Sequence, residues 1–302
     1  MTPDVAVVIG NYQGERVLGD CLESLGAQTL EPSHVVVVDG ASTDGGPALA
    51  ARFGAQVLRV DNLGLGHLYN RGVDAVEAPL VLLANNDVAF DARCLELLAE
   101  ALLEDGRRFA ADARQMDWEG SRLVHARSAL RRGPLLRRPL PGFDLLLTVA
   151  ADVVVPTLTA SGAAMLVRRD LLLALGGFDE TFFMDFEDID LCWRAWLRGW
   201  PSVYVPEACV RHRVGAVTTS EILPRRLASS HHNLLRFALK CLPPEDALRV
   251  LLGELLRLPR HPALVAPALA RVAAELPEIL RLRRRTKPRR DFLGWVLEGM
   301  PP

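Results

Sequence analysis

Four continuous apolar runs, Val5–Ile9, Val35–Val38, Val57–Val60 and Leu80–Ala84, open this chain, and stretches with helical patterning separate them. A strand with one solvated face alternates apolar with polar residues. These runs do not, so both faces of each strand must be covered. Strands of this kind, separated by helical segments such as Val17 to Gln28 and Gly66 to Val76, predict an α/β fold with a mostly parallel central sheet and flanking helices. A further helix is predicted from Ala92 to about Glu104. Ligands of open α/β sheets bind at the carboxyl edge of the strands. Glycine or polar residues follow each strand at that edge: Gly10-Asn11-Tyr12-Gln13-Gly14, Asp39 to Gly46, Asp61-Asn62 and Asn85-Asn86-Asp87. All four segments are therefore expected to converge on one cleft.

The 302 residues, 50% of them hydrophobic, suffice for one large α/β domain with additions or for two modest domains. Lys plus Arg number 35 against 37 for Asp plus Glu. That balance, with no base-reading module, argues against nucleic acid as a partner. Cys21, Cys94, Cys192, Cys209 and Cys241 lack metal-ligand spacing and lie mostly among apolar neighbours. They predict reduced, buried thiols in a cytoplasmic protein. Val5–Ile9 begins too early and ends too soon for a signal peptide, and no uncharged run is long enough to span a bilayer.

Arg107 to Phe143 mixes charge, Gly and Pro with little periodicity and reads as a partly extended excursion or loop over the cleft, with a strand or two. Order is expected to return near Ala150–Val155 and at Ala163–Val167, then in a short helix from Arg169 to Leu175 and a strand at Ser202–Pro206. From about Ile222 the pattern is helical, and Pro243-Pro244, Pro259, Pro262, Pro267 and Pro277 are expected to punctuate the segments.

The densest chemistry lies in Gly176 to Arg194, where Asp179, Glu180, Asp185, Glu187, Asp188 and Asp190 are threaded between Phe182, Phe183 and Phe186. Carboxylates are rarely buried unless they are paired or bind something. From Ile189 the apolar residues fall at helical spacing, so the acids occupy a turn feeding a helix whose first N–H groups favour negative charge. Such a place can hold a catalytic base; a capped helix start accounts for it equally. Asn85-Asn86-Asp87 sets a carboxylate beside amide oxygens, which suits a hard divalent cation, although Asn and Asp also close ordinary turns. Asp39 to Gly45 can accept hydrogen bonds from a ribose or base edge, or form a plain acidic turn. Neither Gly-x-Gly-x-x-Gly nor Gly-x-x-x-x-Gly-Lys-Ser occurs, which argues against dinucleotide folds and phosphate loops of those types. His212, between Arg211 and Arg213, offers a metal ligand, a phosphate hydrogen bond or a solvated turn. Arg194 can pair with Glu187 or Asp190 at helical spacing, or reach a phosphate.

From Val5 to Gly215 these motifs together resemble the inverting glycosyltransferases of family 2, which have the GT-A fold, and are similar to the bacterial rhamnosyltransferase-like members that build cell-envelope or surface polysaccharides. The resemblance implies that Asn11-Tyr12 lies near the nucleotide base, that Asp39 holds the base–ribose moiety, and that Asp44 supports the loop. It places the Asn-x-Gly elements at Asn62, Gly64, Asn70 and Gly72, and the metal and diphosphate motif at Asn85-Asn86-Asp87. Asp87 is then the principal metal carboxylate, with Asn85 and the late histidine, His212, beside it; Arg194 matches the family's arginine. Glu187-Asp188-Ile189-Asp190 matches the Glu-Asp-x-Asp segment, implying Asp188 as general base supported by Glu187 and Asp190. Asn85 departs from the ordinary first carboxylate, Leu65 from a frequent aromatic and Asp185 from a frequent tyrosine.

The implied activity is metal-dependent, Mg²⁺ or Mn²⁺, inverting transfer of a sugar from a nucleotide-sugar donor to a glycan or lipid-linked glycan acceptor. dTDP-rhamnose is the favoured donor and a UDP-hexose the next. The rival class is a non-catalytic nucleotide-sugar or glycan-binding module on the same fold. The expected division is a catalytic domain at 1–220, with a nucleotide-binding half at 1–105 and an acceptor and base half at 150–220, followed by a helical extension at 221–302. The basic run at 281–290 suits either a solvated tail or peripheral contact with the inner face of the membrane. The extension's helices can pack on the catalytic domain or form a homodimer contact.

Overall fold

The computed structural model of the protein describes residues 2–132, 143–148, 153–216 and 222–288. Its first half alternates strands and helices: β1 (Val5–Asn11), α1 (Leu18–Gly26), β2 (His34–Asp39), α2 (Gly46–Arg52), β3 (Gln56–Arg59), α3 (Leu65–Asp74), β4 (Leu80–Asn85), β5 (Val88–Phe90) and α4 (Cys94–Leu103). There follow β6 (Ala110–Met116), β7 (Leu123–His125), β8 (Arg127–Arg132), β9 (Phe143–Thr148), β10 (Val155–Thr157), β11 (Ala164–Arg168), α5 (Arg169–Leu175), α6 (Glu187–Leu197) and β12 (Ser202–His212). Three helices, α7 (Ile222–Cys241), α8 (Pro244–Arg257) and α9 (Pro262–Thr286), complete the described chain.

The main sheet has the order β10-β12-β6-β11-β4-β1-β2-β3, with β5 added on β12 and β7 on β6, while β8 and β9 pair separately. The neighbours β4-β1-β2-β3 are parallel, as are β6 and β12. β11 runs antiparallel between β4 and β6. Successive side chains in a strand face opposite sides, so Val5, Val7 and Ile9 pack with Leu18, Leu22, Leu95 and Leu98 of α1 and α4. Ala6 and Val8 face the other way, against Leu68, Tyr69 and Val73 of α3 and Leu191 and Cys192 of α6. Gly72 allows α3 to approach: a Cβ there would come within 2.1 Å of a Val8 methyl.

Three features depart from the sequence expectations. Ala110–Met116 is no excursion but a central strand of the main sheet. Its alanines carry little strand preference of their own, and its burial comes from β11, β12 and α4. Residues 133–142 of the same stretch, and 150–152 of the region where order was expected to return, lie outside the described residues. Second, the strand expected at Ser202–Pro206 continues past a register shift between Val205 and Cys209 to His212. Third, Pro267 and Pro277 do not break α9 but lie within it on its exposed side; there each missing N–H costs one bond while the buried residues Val265, Ala268, Val272 and Ile279 keep the helix docked.

Candidate active site

Strand register brings the polar edge together. Asn11 is paired with Asp39, and Gly10 with Asn85. Asn11 Nδ2 donates to Asp39 Oδ1 at 2.8 Å and its Oδ1 accepts from Asn86 Nδ2 at 2.7 Å. The other Asp39 oxygen accepts the Ser42 N–H at 3.0 Å, and Arg59 approaches it at 3.5 Å. Three strand ends are thus joined by side chains that are all buried. Gly14 must be glycine for this, since a Cβ there would come within 2.1 Å of Asn11 Oδ1 and 2.2 Å of Asn86 Nδ2. Asp44 braces the neighbouring loop by accepting the N–H groups of Glu15 and Gly46, at 2.8 and 3.1 Å.

Asn11, Asn62, Gly64, Asn85 and Asn86 line one cavity of about 100 Å³, closed by Leu68, Phe183, Met184 and Ile222. A hollow of that size holds a single ring rather than a whole sugar nucleotide. Gly64, at φ 117°, lies so close to Phe183 that a Cβ would come within 2.3 Å of its carbonyl oxygen.

Asp87 has an oxygen that nothing in the described structure satisfies. Its buried Oδ1 has no hydrogen-bond partner, yet His212 Nε2 lies 3.3 Å away. β12 carries His212 there because it pairs with β5 in register, His212 opposite Val88. His212 Nδ1 lies 2.9 Å from Gln115 Oε1. Gln115 Nε2 is itself buried without a partner, so the amide can present either end to the imidazole. A carboxylate and an imidazole at this distance can share a proton or hold a cation between them. No group of three or more His, Cys, Asp or Glu poised for a metal occurs among the described residues. A carboxylate, an imidazole and bound phosphate oxygens nevertheless form a donor set that Mg²⁺ or Mn²⁺ accepts. Of the amides, Asn85 Oδ1 already accepts from the Tyr69 hydroxyl at 3.0 Å.

Asp188 opens α6 from an unusual turn. Asp185 and Phe186 take φ values of 68° and 75°, a left-handed conformation that costs non-glycine residues energy and needs outside support. α7 supplies it: Arg226 grips Asp185 through two bonds of 2.7 Å, and Asn233 Nδ2 donates to the carbonyls of Met184 and Asp185. Asp188 itself is half-buried, with one oxygen 3.3 Å from the Gly162 N–H and the other 2.7 Å from the Ile189 N–H. Burial raises its pKa above the usual aspartate value, while those N–H groups and His125 pull the other way. Burial, then the neighbouring Asp188 charge, raises Glu187 well above its ordinary range, and Glu187 Oε2 has no partner. A carboxyl held toward neutrality beside an ionisable aspartate is an arrangement that suits proton transfer.

The remaining acids of the segment are structural. Asp190 is fully buried between Arg194 Nε at 2.8 Å and Lys240 Nζ at 2.7 Å. Arg194 spends its other nitrogens on the carbonyls of Leu175 and Gly177, at the wall of a separate hollow of about 480 Å³. Of the two roles expected for Arg194, the helical pair with Asp190 is the one these contacts form. Burial alone would raise the Asp179 pKa, but Lys240 and Arg236 reverse that and hold it far below the carboxylate range.

Sequence reasoning missed the residues that link the two halves of the site. The Tyr69 hydroxyl meets Asn85 on one side and the Gly162 carbonyl, at 2.6 Å, on the other; the Gly162 N–H then meets Asp188. The adjacent Ser161 N–H donates to Asp112 Oδ1 at 3.0 Å, and the other Asp112 oxygen meets His125 Nε2 at 2.8 Å. Burial lowers the His125 pKa, but Asp112 and Asp188 more than compensate, so the net shift is upward. One signal was legible: Asp112 is a lone acid in an alanine-rich run. His125 gave none.

The protein-family model described as "Glycosyltransferase like family 2" matches residues 3–236. The N-acetylglucosaminyl-diphospho-decaprenol L-rhamnosyltransferase of Mycobacterium tuberculosis (strain CDC 1551 / Oshkosh) is 32% identical over 255 residues, covering 77% of this chain and 82% of that protein. The O-antigen chain rhamnosyltransferase WbaN of Salmonella anatum is 24% identical, covering 70% and 66%. Among solved structures, the mannosyltransferase PcManGT from Pyrobaculum calidifontis in complex with GDP-Man and Mn²⁺ superposes with a TM-score of 0.55 at 18% identity, covering 98% of this chain and 84% of that one. GalNAc-T7 with UDP, GalNAc and Mn²⁺ gives 0.63 at 14% identity, covering 80% and 49%. These likenesses establish the GT-A fold, and the family match and the mycobacterial relative together show that this chain belongs to the family 2 glycosyltransferases.

Proposed function

We propose that this enzyme transfers rhamnose from dTDP-rhamnose, with inversion, to a lipid-linked cell-envelope glycan, working peripherally at the cytoplasmic face of the membrane. The observation that supports the catalytic reading is the path Asn85–Tyr69–Gly162–Asp188, which joins the strand end just before Asp87, the partner of His212, to the half-buried Asp188. The donor and acceptor follow the rhamnosyltransferase relatives, one named for a decaprenol-linked acceptor and the other for an O-antigen chain. Asn11 and Asp39 hold the nucleoside beside the Asn62–Gly64 turn, and Asp44 keeps that loop in place. Asp87 and His212 would hold Mg²⁺ or Mn²⁺, with Asn85 and Asn86 at its margin. The bound ion would offset charge on the departing diphosphate. Asp188 accepts the proton of the acceptor hydroxyl as that oxygen attacks the anomeric carbon. The Gly162 and Ile189 N–H groups fix its orientation, and Asp190, locked by Arg194 and Lys240, fixes the helix that carries it.

The test is a panel of nucleotide sugars with Mg²⁺, Mn²⁺ or EDTA, read by thermal stabilisation and by transfer to a polyprenyl-diphosphate-linked acceptor. Metal-dependent stabilisation by dTDP-rhamnose that Asp87→Ala abolishes, with transfer giving the inverted anomer, is the expected result. Transfer undiminished in EDTA would overturn the metal site, and preference for a UDP-hexose would overturn the donor.

A further inference from the structure

Helix α8 buries Ala247, Val250 and Gly253, and charged groups beside them. Its buried side carries Asp246, Glu254 and Arg257, while Leu248, Leu252, Leu255 and Leu256 are between 43% and 53% exposed. Spacings of four, three and one place these leucines on one helical face. The orientation is fixed from within: Glu254 is fully buried, meets His231 of α7, and pairs with Arg257 of its own helix. A helix free to roll would turn its leucines inward, so the anchored carboxylate holds them out. Exposed apolar faces of this kind mark interaction sites.

Charge indicates the occupant. Glu254 and Asp246 are withdrawn inward, whereas Arg249 at the edge of the leucine face and Arg260 and His261 just past the helix are exposed. Glu245, in the first turn, is the exposed carboxylate of α8, and it lies within electrostatic reach of Arg283. Leucines rimmed by arginines, whose stems can lie along the apolar surface while their heads meet phosphate, suit an interfacial helix on anionic lipid. No helix among the described residues is long and apolar enough to cross a membrane, so such contact would lie in the interface plane.

We propose that the outward face of α8 docks this protein on an anionic bilayer surface, which rests on the lipid-linked reading of the acceptor and names the surface that brings the enzyme to it. The full chain is to be co-sedimented with phosphatidylglycerol-containing and with pure phosphatidylcholine vesicles, as wild type, Leu252→Ser/Leu256→Ser and Leu252→Trp, with dTDP-sugar binding and light-scattering mass measured in parallel. Expected are binding to the anionic vesicles, a fall of about tenfold or more in the serine variant with donor binding unchanged, and tighter binding in the tryptophan variant. Equal binding by wild type and the serine variant, or none by wild type, would overturn the proposal. A wild-type dimer that becomes a monomer in the serine variant would assign the face to a second copy instead. Loss of donor binding in every form with vesicle binding intact would sink the transferase reading and leave this one standing.

Discussion

At the scale of the residue, two adjacent carboxyls, Glu187 and Asp188, are both raised by burial, and the proposed base can be tested apart from its neighbour. Asp188→Asn keeps the shape of the α6 start and removes the proton acceptor; transfer is expected to fall roughly 10²–10⁴-fold with donor binding preserved, measured by turnover beside calorimetry. Glu187 has a folded pKa raised above its ordinary value of 4.5, so its contribution to stability is fully present below that pH and is lost as pH rises through the folded value. Glu187→Gln is therefore expected to stabilise the protein at neutral pH and to flatten the decline in melting temperature above pH 4.5. The Asp112–His125 pair offers a third test. Asp112→Asn removes the charge that raises the His125 pKa, so the pH profile of kcat should move while KM for the donor stays put. An unchanged profile would reduce the pair to a structural contact.

At the scale of the element, α7 is the support on which the turn before Asp188 depends. Two consecutive left-handed residues, Asp185 and Phe186, persist because Arg226 and Asn233 hold them. Lower on the same helix, Lys240 meets Asp179 and Asp190 together. Lys240→Met leaves two buried carboxylates short of a partner, and a loss of about 3 kcal/mol in urea unfolding is expected. Asp179 adds a pH signature of opposite sign to that of Glu187. Its folded pKa is depressed, so its stabilisation is present above the ordinary value of 3.8 and fades as pH falls through the folded value. Lys240→Met should blunt that acid-side loss. Little of this arm was legible beforehand: Arg226, Asn233, Arg236 and Lys240 read as the polar side of an amphipathic helix, and their partners lie about forty to sixty residues earlier in the chain.

At the scale of the whole molecule, the division at residue 220 meets a shared core. Phe182, Phe186, Trp193 and Trp196 pack with Leu234, Leu235 and Phe237 of α7, and that cluster continues through Val250 to Val272 and Ile279. A chain ending at 220 bares the aromatic face of α6. It is expected to lack a cooperative thermal transition and to aggregate; a soluble, cooperatively melting fragment would instead show 1–220 to be an independent domain.

What the sequence determined alone was local and periodic. Unbroken apolar runs at Val5–Ile9 and Leu80–Ala84 can be buried only on both faces, and polar residues directly after them can lie only at the strand ends. That much fixed the sheet's first half and the edge bearing Asn11, Asp39 and Asp87. Tertiary structure decided which groups there remain available. Arg194 and Asp190 look as chemical as Asp188 in the sequence, yet Lys240 arrives from another helix and makes Asp190 a clamp. Asp112 and His125 look incidental, yet the insertion of β6 between β11 and β12 carries them to the turn that holds Asp188. Burial and partners set the chemistry of a carboxylate, and both belong to contacts between distant segments.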